Sequence, residues 1–206
     1  MKTEILLENL DEMIPNPRCE LEYNKDYELL IATVLSAQCT DARVNKVTKE
    51  LFEKYDIFSL SNAVEKDIEN IIYSCGNYKK KSVYIINIAK SLVKDFNGIV
   101  PNDREYLESL PGVGRKTTNV VLSNLFDIPT IAVDTHVDRV SKRLGLVNKN
   151  DSVYTVEKKL MKKLPKDKWS RTHHQLVLFG RYICKSQNPN CNDCKLKQYC
   201  KYIKKR

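Results

Sequence analysis

The sequence predicts an all-α protein with about ten helices. Apolar residues recur at helical spacing along most of the chain, and short polar turns separate these segments. No stretch shows the sustained alternation of apolar and polar residues that is typical of a half-buried strand. Apolar residues make up 42% of the 206-residue chain, which is enough for a substantial buried core.

The predicted helices are bounded by residues that begin or end helices. The first covers 3–14 and is stopped by Pro15. The second, 26–39, is apolar almost all round, as expected of a buried central helix. Asp134 is placed to cap a helix that Gly145 ends. The remaining predicted helices lie at about 40–55, 63–74, 80–96, 102–110, 115–126, 134–144, 151–163 and 170–184.

Two local patterns between these helices lead to specific expectations. Asn102, with Glu105 three residues later, resembles a capping box and predicts the start of a short helix. The segment 128–133 is short and β-branched, as strands often are. Because helices are predicted on both sides and no partner strand is available, we expect a buried extended connector there.

The charge of the chain favours a polyanionic partner. The formal net charge is +9, which is typical of proteins that bind nucleic acid, although charge alone does not identify the partner. No apolar run approaches the ~20 residues that a membrane-spanning helix needs. The first residues, MKTEILLENLDEM, are too acidic and amphipathic for a signal peptide, so we expect a cytoplasmic protein.

A glycine-punctuated turn lies between two predicted helices at 110–114, with the sequence LPGVG. Gly112 and Gly114 permit a tight turn and a close approach of the backbone to a ligand. The N–H groups of the following first turn form an anion site, to which Arg115 adds positive charge. The alternative is an ordinary tight connection between two helices.

Lys116 and Asp134 are the candidate catalytic pair. Lys116 lies in the first turn of its helix, where a cation is unfavourable against the helix dipole, and a lysine is nucleophilic when neutral. The alternative for Lys116 is a phosphate-binding lysine. Asp134 is expected to cap the next helix, an ordinary structural role that also holds a carboxylate rigidly beside a developing cation. His136 is either a further participant or a hydrogen-bonded structural residue.

Four of the seven cysteines are concentrated near the C-terminus with the spacing C-x6-C-x2-C-x5-C. In a reducing compartment, such a group indicates metal binding before disulfides. Zinc is the commoner occupant of all-cysteine sites, but its ligands usually form two close pairs, and only one close pair is present here. A compact loop of this kind suits a cubane iron–sulfur cluster. The four cysteines are Cys184, Cys191, Cys194 and Cys200.

Together, these segments closely resemble the endonuclease III family of the helix-hairpin-helix DNA glycosylase superfamily. The resemblance rests on LPGVGRKTTNVV, AVDTHVDRV, the cysteine spacing and LSAQCTD at 35–41, and it covers nearly the whole chain. It implies a six-helix domain at 21–131, with the helix-hairpin-helix at about 103–126. It also implies a second helical domain, formed by 1–20 and 132–206, whose loop 184–200 holds a [4Fe–4S] cluster.

The resemblance also implies roles for individual residues. Lys116 matches the lysine that forms a Schiff base, and Asp134 matches the catalytic aspartate. Gln38 matches the residue that fills the gap left by a flipped nucleotide. Gly112, Gly114, Arg115 and His136 are expected to contact DNA.

The implied activity is that of a monomeric base-excision repair enzyme acting on double-stranded DNA with a damaged base or an abasic site. It would remove oxidised pyrimidines and cleave the abasic site by β-elimination. Relatives that only remove a base generally lack a lysine at the position of Lys116. Other classes to be tested are a non-catalytic DNA-binding protein, an electron-transfer iron–sulfur protein, and a mismatch or alkylation glycosylase.

The chain departs from the family pattern at one position. In the loop GNYKKKS at 76–82, Asn77 stands where the family often has a bulky apolar residue that inserts into the duplex. An asparagine is a poor wedge. Either Tyr78 takes that role or the damage preference differs, and the sequence leaves both open.

Overall fold

The computed structural model describes residues 1–205, and within them it contains helices and no strand. The predicted all-α fold class is therefore confirmed. The α-helices are α1 (Thr3–Met13), α2 (Asp26–Leu35), α3 (Asp41–Lys54), α4 (Ile57–Ser61), α5 (Glu65–Ile72), α6 (Tyr78–Phe96), α7 (Arg104–Ser109), α8 (Arg115–Phe126), α9 (Thr135–Leu144), α10 (Val153–Lys163) and α11 (Trp169–Tyr182). Short 3₁₀ turns lie at Tyr73–Cys75, Lys166–Lys168, Lys197–Tyr199 and Ile203–Lys205.

The chain divides into two compact units. One is Cys19–Phe126 and contains α2 to α8; it is called the hairpin unit below. The other joins Met1–Arg18 to Asp127–Arg206 and contains α1 and α9 to α11; it is called the cysteine-loop unit. Every helix in the described residues is too short or too polar to cross a membrane.

The centre of the hairpin unit is α2. Nearly all of its residues are buried, and Leu29, Leu30 and Ile31 have no exposed surface. It packs against α3, α6 and α8, so it is covered from several sides. Burial of this kind is what an apolar helix without a polar face requires.

The C-terminal end of α2 differs from the prediction. The helix ends at Leu35 and not at residue 39. The carbonyl groups of Leu35 and Ala37 accept hydrogen bonds from the Lys81 ammonium, at 2.9 and 2.7 Å. Gln38 then takes a left-handed conformation with φ 56°. A contact from a residue more than 40 positions away therefore ends the helix, and local sequence does not reveal it.

Two further differences lie in helix caps. The prediction missed α4, whose capping box is formed by Asp56 and Ser59: the Ser59 amide donates to the Asp56 carboxylate and the Asp56 amide to the Ser59 hydroxyl. The predicted cap of α7 was wrong by one residue. Asp103, and not Asn102, accepts a hydrogen bond from the Tyr106 amide at 3.1 Å.

The cysteine-loop unit has its own core, in which α1 and α11 pack together and α9 packs against α11. The close approach of α9 to α11 depends on Gly180, where an added Cβ would lie 2.8 Å from the Cβ of His136. Gly145 ends α9 with φ 71°, as predicted. The segment 128–133 forms neither helix nor strand, and its last four residues are buried, so the prediction of a buried connector in place of a strand is confirmed. The buried side chains of this core include Leu6, Leu10, Val137, Val140, Leu160, Leu176 and Phe179.

Asp11 joins α1 to α11 through hydrogen bonds. Its carboxylate accepts from the Arg171 guanidinium and from the Gln175 amide, both at 2.8 Å. The hydrogen bond from Arg171 is the main cause that holds the pKa of Asp11 below its usual value, although burial opposes it. The Asp11 side chain is 53% exposed, so solvent weakens this interaction.

We expect Asp11→Asn to lower the free energy of unfolding at neutral pH by less than about 1 kcal/mol, because the ion pair is solvent-screened. A carboxylate whose pKa is lower in the folded state stabilises the fold above its unfolded pKa of about 3.9. That stabilisation is lost as the pH falls through the folded-state pKa. The difference between wild type and variant should therefore be present at neutral pH and disappear in acid. Urea unfolding at a series of pH values measures it. Glu8→Gln, an exposed change on the same helix, is the control, and an equal effect of both would contradict the assignment.

Candidate active site and nucleic-acid interface

The hairpin between α7 and α8 is formed by two backbone hydrogen bonds. The Val113 amide donates to the carbonyl of Leu110 at 3.1 Å, which closes the turn. The Thr118 amide donates to the carbonyl of Gly114 at 3.0 Å, which begins α8. The N–H groups of the first turn of a helix have no intrahelical acceptor. They form an electropositive surface suited to an anion.

The two glycines of the hairpin have different physical requirements. Gly112 has φ 75°, and an added Cβ would lie 2.5 Å from the ring of Tyr84. Both the backbone conformation and the neighbouring ring therefore require glycine at this position. Gly114 lies outside the left-handed region, and an added Cβ would meet nothing within 4 Å. The space beside Gly114 is open to a ligand.

A buried polar contact holds α7 against α8. Asn119 is 1% exposed, and its side-chain oxygen accepts a hydrogen bond from the Arg104 guanidinium at 2.8 Å. Arg104 also pairs with Glu108 on its own helix at 2.9 Å. Because one guanidinium binds both helices, the turn between them is fixed at its base.

Lys116 lies in the first turn of α8, directly after the hairpin. Its side chain is exposed, and it has no hydrogen-bond or ion-pair partner among the residues of the hairpin unit. Arg115, the preceding residue, is partly buried. The lysine is therefore available to a ligand at the same helix end as the hairpin amides.

Two loops of the hairpin unit carry the other residues expected to meet the duplex. Gln38 and Asn77 are both exposed, and both have left-handed backbones, with φ 56° and 47°. Asparagine tolerates this conformation better than a branched or bulky residue does. Tyr78 follows at the start of α6, and its ring lies 4.8 Å from the ring of Tyr73, which is 66% exposed.

Asp134 caps α9 in the cysteine-loop unit, as predicted. Its Oδ1 atom accepts hydrogen bonds from the backbone amides of His136 and Val137, at 2.9 and 2.8 Å. The second oxygen, Oδ2, has no hydrogen bond to the described residues of this unit. One oxygen therefore fixes the carboxylate while the other stays available for a reacting group.

His136 is held by protein contacts. Its Nδ1 atom lies 3.2 Å from the guanidinium of Arg139, which always donates, so Nδ1 acts as the acceptor. Burial is the main cause that lowers the pKa of His136, and Arg139 and Arg181 act in the same direction, whereas Asp134 opposes them. These contacts favour a neutral ring with a structural role. Contact with DNA stays a prediction for this residue.

Two arginines of α9 hold the start of the cysteine loop. Arg139 donates to the carbonyl groups of Gly180 and Cys184, at 2.7 and 3.2 Å. Arg143 donates to the carbonyls of Lys185 and Ser186, at 2.6 and 2.9 Å, and lies 3.5 Å from the sulfur of Cys184. Sequence reasoning missed both residues, although their spacing of four on a short helix places them on one face.

The four cysteines of the loop are close enough to influence one another. Burial is the main cause that raises the pKa of Cys194, and the thiols of Cys184, Cys200 and Cys191 raise it further. Within residues 1–205, no three His, Cys, Asp or Glu side chains converge on the position of a single metal ion. Four thiols on one loop are a donor set that an iron–sulfur group takes.

The other three cysteines lie outside this loop, in the hairpin unit. Cys19 and Cys39 are partly buried and Cys75 is fully buried. Burial is the main cause that raises the pKa of Cys75 to about 12, and the nearby Cys39 thiol adds to it through a side-chain hydrogen bond. These thiols have no predicted ligand role.

Comparison with known families identifies the class of protein that this fold and site define. Residues 31–166 match the family described as HhH-GPD superfamily base excision DNA repair protein. The match covers the hairpin, Lys116 and Asp134 and extends through α10.

Individual relatives narrow this class further. The chain is 50% identical over 204 residues to Endonuclease III of Bacillus subtilis, covering 98% of this chain and 93% of the relative. It is 43% identical over 204 residues to Endonuclease III of Escherichia coli K12, covering 97% and 95%. The chain belongs to the endonuclease III family.

Solved structures give the same result. The chain is 51% identical, with a TM-score of 0.95, to a protein in a non-covalent Endonuclease III–DNA complex, covering 98% of this chain and 95% of that one. It has the same identity and TM-score with a trapped Endonuclease III–DNA covalent intermediate, the estranged-adenine complex, covering 100% and 98%.

Proposed function

We propose that this protein is a base-excision repair enzyme that removes oxidised pyrimidines from double-stranded DNA and then cleaves the strand at the abasic site. Lys116 is its nucleophile and Asp134 assists. The observation that carries the proposal is an exposed lysine without a partner in its unit, at the helix end that follows the hairpin. A 51%-identical relative has been trapped in a covalent complex with DNA, which supports the same chemistry here.

Base removal begins with extrusion of the damaged nucleotide from the duplex, because the sugar is otherwise shielded by the stack. The neutral amine of Lys116 attacks C1′ of the sugar and forms a C–N bond. The glycosidic bond breaks, the base leaves with its electron pair, and solvent protonates it. Positive charge develops on the sugar, and the Asp134 carboxylate stabilises it and helps to accept the amine proton.

The sugar ring then opens: the nitrogen lone pair expels O4′ from C1′, O4′ takes up a proton, and C1′ and the nitrogen form an imine. Strand cleavage follows from this imine. Its positive nitrogen acidifies the proton on C2′, and loss of that proton breaks the C3′–O bond. The strand is cut 3′ to the abasic site by β-elimination. Hydrolysis of the remaining imine then releases Lys116 and the sugar aldehyde. This sequence needs a lysine, which is why Lys116 favours a bifunctional enzyme over one that only removes a base.

The hairpin holds the DNA backbone in this proposal. The amides near Gly112 and Gly114 bind one phosphate, and Arg115 adds positive charge beside it. Such contacts position a protein on a duplex without reading its sequence. Gln38 fills the space that the extruded nucleotide leaves. Asn77 lies in a loop that Lys81 joins to the loop containing Gln38, and its small polar side chain leaves the preference among damaged bases open.

The cysteine loop holds a [4Fe–4S] cluster through Cys184, Cys191, Cys194 and Cys200. When bound, this group would join the four cysteines through iron–thiolate bonds and so hold the loop together. Arg139 and Arg143 hold the first part of the loop by hydrogen bonds. The exposed lysines Lys185, Lys197 and Lys201 beside the cysteines are then placed to bind phosphates, whereas Lys195 pairs with Glu12.

Lys116→Ala should abolish the covalent adduct that borohydride traps with DNA containing thymine glycol or an abasic site, because only a primary amine at this position forms the imine. Denaturing gel electrophoresis of labelled DNA measures it. Lys94→Ala, which removes an exposed lysine of α6, should trap as much adduct as wild type. Undiminished trapping by Lys116→Ala would remove Lys116 as the nucleophile.

Asp134→Asn should keep the fold and the affinity for DNA but lower the turnover by roughly 100-fold or more, since asparagine caps a helix as well as aspartate but carries no charge. Asp134→Ala should in addition lower the free energy of unfolding by about 1 kcal/mol. Single-turnover kinetics, a binding titration and urea unfolding separate these effects. An equal loss of binding and turnover in Asp134→Asn would indicate a structural role alone.

Purified protein should contain iron and acid-labile sulfide in equal amounts, and Cys191→Ser should lose both because a cluster ligand is missing. Chemical analysis and visible absorption measure this. Cys19→Ser, which changes a cysteine outside the loop, should keep both at the wild-type level. Zinc in place of iron and sulfide would contradict the proposed cofactor.

A further inference from the structure

Lys81 is a buried lysine that neither the predicted site nor the proposed chemistry uses. It lies in the first turn of α6 and is 5% exposed. Its ammonium donates to three backbone carbonyls: Leu35 at 2.9 Å, Ala37 at 2.7 Å and Cys75 at 2.6 Å. An ammonium has three N–H groups, so all of them are used. Among the described residues, no carboxylate pairs with it.

Burial of a charge without a counter-ion costs free energy. Stability of the fold therefore does not by itself explain why Lys81 is buried. Burial is the main cause that lowers the pKa of Lys81, and the thiols of Cys75 and Cys39 oppose it. The three carbonyls are the hydrogen-bond acceptors that compensate the charge. Each of these carbonyls belongs to backbone at the end of a helix or just outside one. The ammonium therefore binds backbone at the points where helices end.

The three acceptors lie at two places along the chain. Leu35 ends α2 and Ala37 lies in the segment 36–39, called the Gln38 loop, whereas Cys75 begins the segment 75–77, called the Asn77 loop. Each loop contains an exposed non-glycine residue with a left-handed backbone, Gln38 in one and Asn77 in the other. One side chain therefore binds the two backbones just before the two residues that are proposed to enter the duplex.

Two further contacts join the same loops. The Arg43 guanidinium, on α3 just after the Gln38 loop, lies 3.4 Å from the carbonyl of Ser74. The thiol of Cys39 lies close enough to that of Cys75 to raise its pKa. Both are weaker than the Lys81 contacts, because one is long and the other joins two sulfurs. Lys81 is the strongest link between the loops.

We infer that Lys81 is a positioning residue for base extrusion, which holds the Gln38 loop and the Asn77 loop at a fixed separation. The inference rests on the proposed function. With both loops fixed before DNA binds, Gln38 and Asn77 meet the duplex together, and no ordering cost is added when the nucleotide leaves the stack. Without the ammonium, the carbonyls of Leu35, Ala37 and Cys75 lose their shared donor, and only the weaker contacts of Arg43 and of the two thiols still join the loops.

The test compares Lys81→Met and Lys81→Gln with wild type. Methionine keeps the volume and removes every donor, whereas glutamine keeps an amide donor without the charge and serves if the methionine variant does not fold. Lys90→Met removes an exposed lysine further along the same helix and is the matched control. Thermal unfolding verifies that each variant is folded at the assay temperature.

Three readouts separate positioning from a general structural role. The first is amide hydrogen exchange at residues 36–39 and 75–77, which needs no DNA. The second is the fluorescence of 2-aminopurine placed opposite a thymine glycol in a duplex, which reports unstacking. The third compares base excision from that duplex with borohydride trapping on a single-stranded abasic oligonucleotide, which requires Lys116 but no extrusion.

In the folded Lys81 variants we expect faster exchange in both loops, loss of the 2-aminopurine signal, and a fall in base excision on the order of 100-fold. Trapping on the single strand should stay within about twofold of wild type, and Lys90→Met should match wild type throughout. Unchanged exchange in both loops, or equal losses of excision and single-strand trapping, would overturn the inference. If wild type itself traps no adduct, the proposed function fails, while hydrogen exchange still tests whether Lys81 joins the loops.

Discussion

In the cysteine-loop unit, the positions of the site residues depend on one interaction, the cap that Asp134 forms at the start of α9. The same oxygen that accepts from the amides of His136 and Val137 fixes where the helix begins. The helix start in turn fixes the face on which Arg139 and Arg143 lie, and these arginines hold the backbone of the cysteine loop. A single helix thus connects the candidate catalytic carboxylate to the loop that is proposed to hold the cluster.

The hairpin unit presents irregular backbone to a ligand while keeping that backbone in a fixed conformation. Each irregular segment is fixed by a polar side chain from a neighbouring helix. Arg104 binds Asn119 beneath the hairpin, and Lys81 binds the carbonyls before Gln38 and Asn77. Polar contacts of this kind are strong in a buried environment because water does not compete for them. Gln38, Asn77 and Lys116 are exposed, whereas Lys81 and Asn119, which hold the segments around them, are buried.

The sequence was sufficient for the helical fold class, the cap at Asp134, the end of α9 at Gly145 and the buried connector, because each depends on local chemistry or on hydrophobic spacing. It was not sufficient for the end of α2 or for Lys81. A lysine in an amphipathic segment ordinarily lies in solvent, and nothing local shows that this one is buried against carbonyls more than 40 residues away. The prediction missed α4 and placed the cap of α7 one residue too early. Neighbouring polar residues near a helix start can each act as the cap with similar stability, so the sequence does not determine which one does. The catalytic and DNA-binding roles of the site residues stay predictions, which experiments on activity and adduct formation test.

The most direct test of the central claim is the identity of the residue that carries the DNA. Wild-type protein is incubated with a duplex containing an abasic site, the imine is reduced with borohydride, and the adduct is digested with a protease and a nuclease. Tandem mass spectrometry then locates the added sugar fragment. The account predicts that the fragment is on the side chain of Lys116. A fragment on the amino group of Met1 or on any other lysine would contradict it.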